Sequence, residues 1–160
     1  MKTVLFRIAV ILSILSTAGV SSAANTYGLF VSATVLSKSN CKFNSATATL
    51  NFGSLNPAST GNATASTSIT FICRGSAANA TYNITQNYGL YNTGPNANRM
   101  QNTIVLTQYL PYTVSLSPFT ATVPKNATQT LTISGTILAT DYENAYVGSY
   151  SDTIVISLNP

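Results

Sequence analysis

The chain has 160 residues, of which 45% are hydrophobic and only 6% are charged. Globular proteins usually carry about 25% charged residues, so Ser, Thr and Asn must supply most of the polar surface here. The length suffices for one domain with a hydrophobic core. The basic residues are scattered, which disfavours nucleic-acid binding. With no histidine and three acidic residues in the whole chain, the usual acid–base pairs are scarce and we do not expect an enzyme.

Residues 1–24 have the pattern of a secretory signal peptide. Lys2 and Arg7 form a basic region, residues 8–15 an apolar core, and residues 21–24 a run of small residues suited to cleavage. The apolar run is shorter than the ~18–20 residues that span a bilayer. We therefore predict export, a mature domain over residues 25–160, and no membrane span in it. Loss of the leader lowers the formal net charge from +4 to +2.

Two cysteines, Cys41 and Cys73, remain in a chain predicted to enter an oxidising compartment. The simplest prediction is one disulfide. It would close a loop of about 33 residues and add roughly 3–4 kcal/mol of stability on the loop-entropy scale. A metal pair is the alternative, but no histidine exists to complete a site. We expect no metal and no cofactor.

Apolar and polar residues alternate with a period of two through most of the mature chain, which predicts β-strands. The first strand has Leu29, Val31, Ala33 and Val35 on its apolar face. Further strands are predicted at residues 47–52, 67–73, 81–86, 103–107, 110–116, 129–138 and 150–158. Loops are predicted at residues 58–66, 87–102 and 140–148. Seven or eight short strands without a helical period indicate an all-β antiparallel sandwich.

The last predicted strand, residues 150–158, is followed only by Asn159 and Pro160. Its apolar face carries Tyr150, Ile154, Ile156 and Leu158. No later strand is present in the sequence to cover this edge, and an exposed strand edge tends to pair with another chain. We therefore predict that these four residues form an edge that accepts a foreign strand.

Several short motifs, in this order, resemble the spore coat protein U domain family. They are Cys41, Leu50-Asn51-Phe52-Gly53, Ser66-Thr67-Ser68-Ile69-Thr70-Phe71-Ile72-Cys73, Arg99-Met100, Tyr109-Leu110-Pro111-Tyr112, Thr132-Ile133-Ser134-Gly135-Thr136-Ile137 and Gly148-Ser149-Tyr150-Ser151-Asp152-Thr153. Each motif is weak alone, but their order and spacing, with both cysteines as expected, are fairly specific. The resemblance runs from about Phe30 to the end of the chain.

This family includes subunits of archaic chaperone–usher pili and the coat protein for which it is named. The resemblance implies an immunoglobulin-like sandwich that lacks its final strand, exported through the periplasm to the cell surface. A periplasmic chaperone, an outer-membrane usher and neighbouring copies are the implied partners, acting through donor-strand complementation. Roles in a fimbria, in cell adhesion and in biofilms would follow.

Other interpretations stay open at this stage. Leu29, Val31, Ala33 and Val35 either form a donor strand for another copy or belong to the domain's own first strand, because periodicity does not identify a strand's partner. The protein is alternatively a secreted coat or matrix protein that does not polymerise.

A third possibility is an adhesin module. Tyr88, Tyr91 and Tyr109 either stack on a surface glycan or cover the end of the sandwich. Asp141 and Glu143 either bind Ca²⁺ or belong to a solvated loop.

Overall fold

The structure, a computed structural model, describes residues 29–160, so the predicted signal peptide lies outside the described residues. Residues up to Thr34 and residues from Val35 onward belong to two separate bodies, and the folded domain is the second. Within residues 29–160, no helix has the length and apolar character needed to cross a bilayer.

The domain consists of short strands and one single-turn helix. In chain order these are β1 (Ser39–Phe43), β2 (Ala63–Gly75), β3 (Asn79–Gln86), β4 (Arg99–Asn102), β5 (Tyr109–Pro111), β6 (Thr113–Ser117), β7 (Thr120–Pro124), β8 (Thr128–Ile137), α1 (Ala139–Tyr142), β9 (Tyr150–Ser151) and β10 (Ile156–Asn159).

The strands form three antiparallel sheets. The first has the order β1-β2-β8-β6, the second β10-β3-β7 and the third β5-β4-β9. The main core joins buried residues of the first sheet, such as Phe71 and Leu131, to those of the second, such as Tyr82 and Ile84. A second cluster, around Leu110 and Ile137, lies at the end that carries the third sheet. The predicted all-β antiparallel sandwich is confirmed.

The outer face of the first sheet explains how a chain with so few charges stays polar at its surface. Hydroxyl side chains of β2, β8 and β6 lie in register as rows across the sheet. Two such rows are Thr64, Thr136, Thr113 and Ser66, Ser134, Ser115. Threonine suits this position because its branched Cβ packs well on a pleated surface.

A disulfide joins Cys41 to Cys73, which are directly opposite each other in β1 and β2. Both cysteines are buried in the main core. Beside them the ring of Phe71 meets the ring of Tyr82 edge-on, with 4.8 Å between the ring centroids. The disulfide therefore holds the first strand of the domain to its neighbour within the main core.

Two predicted strands are not strands in the structure. Residues 29–36 and residues 47–52 carry no strand assignment, although both alternate as predicted. Alternation reports only which side chains can share a face of an extended chain. It does not show whether the backbone has a hydrogen-bonded neighbour. The prediction of a strand at residues 47–52 was wrong. Residues 29–36 do not form a strand of the domain within the described chain, and their alternative role as a donor strand stays a prediction.

The predicted last strand is divided into β9 and β10, which pair with different sheets, and residues 152–155 between them are not in a strand. The predicted strand at residues 103–107 is a turn, because Asn102 Oδ1 accepts hydrogen bonds from the backbone N–H groups of Ile104 and Val105, at 3.0 and 2.9 Å.

Smaller differences concern the predicted loops. The loop at residues 87–102 ends in β4, the loop at 58–66 ends inside β2, and the loop at 140–148 begins inside α1.

Candidate strand-acceptor groove

An elongated groove of about 760 Å³ opens between residues 45–52 on one side and residues 150–156 on the other. Its floor is largely apolar. The floor residues include Ile69, Met100, Tyr112, Val114 and Ile133. Three of these residues, Ile69, Met100 and Val114, are only half-buried, so part of the apolar floor is accessible.

The first wall is the run from β9 to β10, and it is an edge along its whole length. β9 and β10 are end strands of their sheets, so each has a neighbour on one side only. The Asn87 N–H donates to the Val155 carbonyl oxygen at 3.0 Å, so the backbone of Val155 points toward β3. Alternate residues of a strand direct their backbone groups to opposite sides. The N–H and C=O groups of Ile154, Ile156 and Leu158 therefore point away from β3, and for Ile154 and Ile156 this is the side of the groove.

The second wall is formed by residues 46–52, which make no backbone–backbone hydrogen bond to the described part of the chain. Leu50 and Phe52 hold this segment by packing inward over Gly135 of β8. A Cβ at Gly135 would lie 2.7 Å from a terminal atom of each side chain. This wall was missed as a functional element, because its alternation predicted an ordinary paired strand.

The groove narrows toward the disulfide. There the Cα atoms of β1 and β10 come within 8 Å of each other, although no strand pairing joins them. A strand inserted between two others needs about 9.6 Å between its neighbours, twice the usual strand spacing. The space for an added strand thus lies beside residues 45–52 rather than beside Cys41.

The lining of the groove contains one charged group, the Asp152 carboxylate. The Asp152 carboxylate accepts hydrogen bonds from the Tyr112 hydroxyl at 2.6 Å, the Leu90 N–H at 2.8 Å and the Thr153 N–H at 2.7 Å. Gly89 is required beside it, since φ there is +88° and a Cβ would lie 1.9 Å from Asp152 Oδ2. This contact network separates β9 from β10.

Burial, and then the hydrogen bond to Asp152 and its negative charge, raise the pKa of Tyr112 well above the ordinary value of 10. The hydroxyl therefore stays protonated near neutral pH and keeps donating to the carboxylate.

The four predicted acceptor residues all lie along the first wall. Tyr150, Ile154 and Ile156 line the groove, while Leu158 packs against the main core beyond it. All four are half-buried, whereas Val155, which points outward, is 56% exposed. Half-burial on a core-facing side is typical of a sheet edge that has a neighbour on one side only.

The four candidate donor residues are exposed. Leu29, Val31 and Val35 are 86%, 84% and 87% accessible, and Ala33 is exposed as well. Such contiguous exposed apolar residues usually mark a binding segment.

The other predicted sites lie elsewhere. Tyr91 and Tyr109 have ring centroids 6.2 Å apart, and the Arg99 guanidinium lies 3.9 Å from the centroid of Tyr109. Arg99 therefore covers one face of the ring that a sugar would need for stacking. Asp141 lies in α1 and Glu143 directly follows it, and no group of three metal-ligating side chains gathers among residues 29–160.

Residues 26–157 match the Spore Coat Protein U domain family. The match covers most of the chain, so the chain belongs to this family and the resemblance seen in the motifs is confirmed. No match was found among curated proteins.

Two of the solved structures that this chain matches come from pilus or fimbrial systems. One is the CsuC–CsuE chaperone–tip adhesion subunit pre-assembly complex from the archaic chaperone–usher Csu pili of Acinetobacter baumannii, with a TM-score of 0.51 and 17% identity over 76% of this chain and 39% of that chain. Another is a chaperone–tip adhesin complex of CFA/I fimbriae biogenesis, with a TM-score of 0.48 and 14% identity over 77% of this chain and 42% of that chain. The chain spans about two fifths of the solved chains that it matches. At this identity the likeness concerns the fold.

Proposed function

We propose that this protein is an exported, pilin-like structural subunit whose sandwich is completed by a β-strand from another polypeptide. One observation carries the proposal. The apolar groove lies between residues 46–52 and residues 150–156, two extended backbone segments whose facing edges have no backbone partner within the described chain. An added strand would satisfy backbone groups on both sides and cover the floor, which is the β-augmentation mode of recognition.

The energy of such binding is substantial. The leucine and the two valine side chains that enter the groove each contribute about 1.5–3 kcal/mol if they become fully buried, and Ala33 contributes less. Backbone pairing adds to this, and the ordering of the incoming segment opposes it. A complex that dissociates very slowly is the expected result.

The proposed partners follow from the family and from the groove, whose apolar floor and backbone edges an added strand would cover. A periplasmic chaperone lends a strand first, an outer-membrane usher receives the complex, and a neighbouring copy then replaces the chaperone strand with its own segment around Leu29, Val31, Ala33 and Val35. The similar solved complex from Csu pili contains a chaperone and a tip subunit, which supports the chaperone step. The proposed location is the cell surface, after export through the periplasm.

A pair of aspartate substitutions on the first wall tests this function. Ile156→Asp places a charge toward the groove, whereas Ser157→Asp, one residue away, places it at an exposed position outside the groove lining. Ile156→Asp should abolish the multimer ladder seen on unboiled denaturing gels and lower the periplasmic yield. Ser157→Asp should leave both near the wild-type level.

Normal ladders from Ile156→Asp would contradict the proposal. A wild-type chain that stays monomeric when produced with its chaperone and usher would favour the alternative, a secreted coat or matrix protein of the same fold.

A further inference from the structure

The groove wall and the exposed N-terminal segment have matching lengths. The wall that lines the groove runs from residue 150 to residue 156, and its core-facing members are Tyr150, Asp152, Ile154 and Ile156. The candidate donor runs from residue 29 to residue 35, and its apolar members are Leu29, Val31, Ala33 and Val35. Each segment thus offers four side chains to the same face, spaced two residues apart.

Each core-facing residue of the wall defines one level, at which one donor residue would lie beside it. The four levels are not equivalent. At three of them the wall offers an aromatic or aliphatic side chain, but at Asp152 it offers a carboxylate that is bonded to the Tyr112 hydroxyl. A large apolar side chain at this level would remove the carboxylate from water and provide no hydrogen bond in return, which is costly. The level of Asp152 therefore favours the smallest side chain of the donor, which is Ala33.

This match also selects the direction of the donor. If Ala33 lies beside Asp152 in an antiparallel pair, Val35 lies beside Tyr150, Val31 beside Ile154 and Leu29 beside Ile156. In a parallel pair with the same anchor, Leu29 would lie at the level of Gly148, outside the lining of the groove. The antiparallel arrangement alone places all four side chains on the groove, and antiparallel pairing is slightly more stable per residue.

We propose that residues 29–35 of a second copy of this chain bind antiparallel to residues 150–156, with Ala33 facing Asp152, and that Asp152 restricts the donor to a small side chain at that level. This register rests on the proposed strand-acceptor function. The backbone geometry agrees with it, because Ile154 and Ile156 direct their N–H and C=O groups toward the incoming strand.

Cysteine pairs at exposed positions test the register without changing the four core-facing residues of the wall. In the proposed register Ser32 lies opposite Thr153, in a pair without hydrogen bonds, for which the Cα separation is about 4.5 Å. That distance falls in the range of about 4.4–6.8 Å that a disulfide needs. Both positions are exposed. The matched control pairs Ser32 with Ser151, which is also exposed but shifted by two residues, to about 7–8 Å.

The chain that carries Ser32→Cys and Thr153→Cys should give a ladder of covalent multimers that survives boiling and disappears with reductant. The chain that carries Ser32→Cys and Ser151→Cys should give at least about tenfold less covalent multimer. The opposite ranking would overturn the register, and equal cross-linking of both pairs would also overturn it. Unboiled gels report strand exchange separately. A normal non-covalent ladder with the wrong cross-link refutes only the register, whereas no ladder in the wild type refutes the proposed function as well.

A size test examines the role of Asp152. Ala33→Leu, at the level of Asp152, should lower the amount of multimer about tenfold, which corresponds to about 1.4 kcal/mol. Val31→Leu, at the apolar level of Ile154, should change it less than about twofold. Equal effects of the two substitutions would overturn the size restriction.

Discussion

The two ends of strand β2 have the same alternation but a different environment. Toward its end the core-facing residues Phe71 and Cys73 are completely buried, while Thr67 and Ile69, on the same face, are only half-buried. The buried end lies under β3 and beside the disulfide, and the half-buried end forms part of the groove. One end of β2 thus lies in a closed region of the core, around Phe71 and Cys73. The other end lies in an open region, the groove, around Thr67 and Ile69.

The two regions should therefore serve different purposes: the buried residues stabilise the isolated domain, and the groove residues serve the proposed strand binding. A buried side chain stabilises the fold through its contacts in the isolated chain, whereas under the proposed function a groove side chain reaches full burial when a partner strand covers it. Substitutions in the two regions should therefore affect different measurements. The following predictions test that separation, from the largest expected effect to the smallest.

The sharpest comparison is between Phe71→Ala and Ile69→Ala, two residues apart on the same face of β2. Phe71→Ala should lower the free energy of unfolding by about 3–5 kcal/mol, because it leaves a cavity against Tyr82. Ile69→Ala should cost the isolated chain less than about 2 kcal/mol, below the usual range for a fully buried isoleucine. Urea unfolding of the purified monomers measures both values. Equal losses would contradict the division into a closed and an open region.

Removal of the disulfide should weaken the closed region and spare the groove. Replacement of both Cys41 and Cys73 by Ser should reduce the free energy of unfolding by roughly 3–4 kcal/mol, given a sequence separation of 32 residues. Thermal melts with and without reductant give the measurement, and reduced wild type serves as the control. At a temperature where the variant is still folded, strand acceptance should stay close to normal. An unchanged melting temperature would refute this prediction.

The smallest effect is expected at the hydrogen bond between Tyr112 and Asp152 in the groove. Tyr112→Phe removes the hydroxyl that donates to Asp152, and a hydrogen bond to a charged group contributes about 1.5–3 kcal/mol. Because the pKa of Tyr112 is raised in the folded state, its contribution is fully present below pH ~10, where the unfolded chain begins to ionise. That contribution is lost as the pH rises further.

Chemical unfolding from pH 7 to 12 should therefore show a decline above pH ~10 that is shallower in Tyr112→Phe than in the wild type. Part of the decline should remain, since burial raises the pKa of Tyr82 as well. Tyr146→Phe, at a position 50% exposed, is the matched control and should leave the unfolding free energy unchanged. An identical alkaline decline in the wild type and Tyr112→Phe would contradict the assigned role of Tyr112.

The sequence identified most of the sandwich, because a strand that is buried on one face has apolar and polar residues that alternate with a period of two. The prediction for β8 was almost complete, since Leu131, Ile133 and Ile137 alternate with hydroxyl residues without interruption. The motifs were also sufficient to identify the family, and the match over residues 26–157 confirms it.

The site was predicted only in part. The sequence pointed to Tyr150, Ile154, Ile156 and Leu158, but it described them as members of one continuous strand. The division at Asp152 depends on Leu90 and Tyr112, which are 62 and 40 residues away in sequence. Contacts over such separations leave no local periodicity that a sequence pattern can report.

Sequence alone thus determined the extended conformations and the class of fold, because these follow from which residues prefer water and which avoid it. It also identified the family, through the order and spacing of its motifs. Tertiary structure alone decided which extended segments have a neighbour. Leu50 and Phe52 alternate like any strand, yet their segment has no backbone partner in the described chain and forms one wall of the groove. The physical reason is that side-chain burial is recorded locally in the sequence, whereas backbone pairing depends on how distant parts of the chain come together.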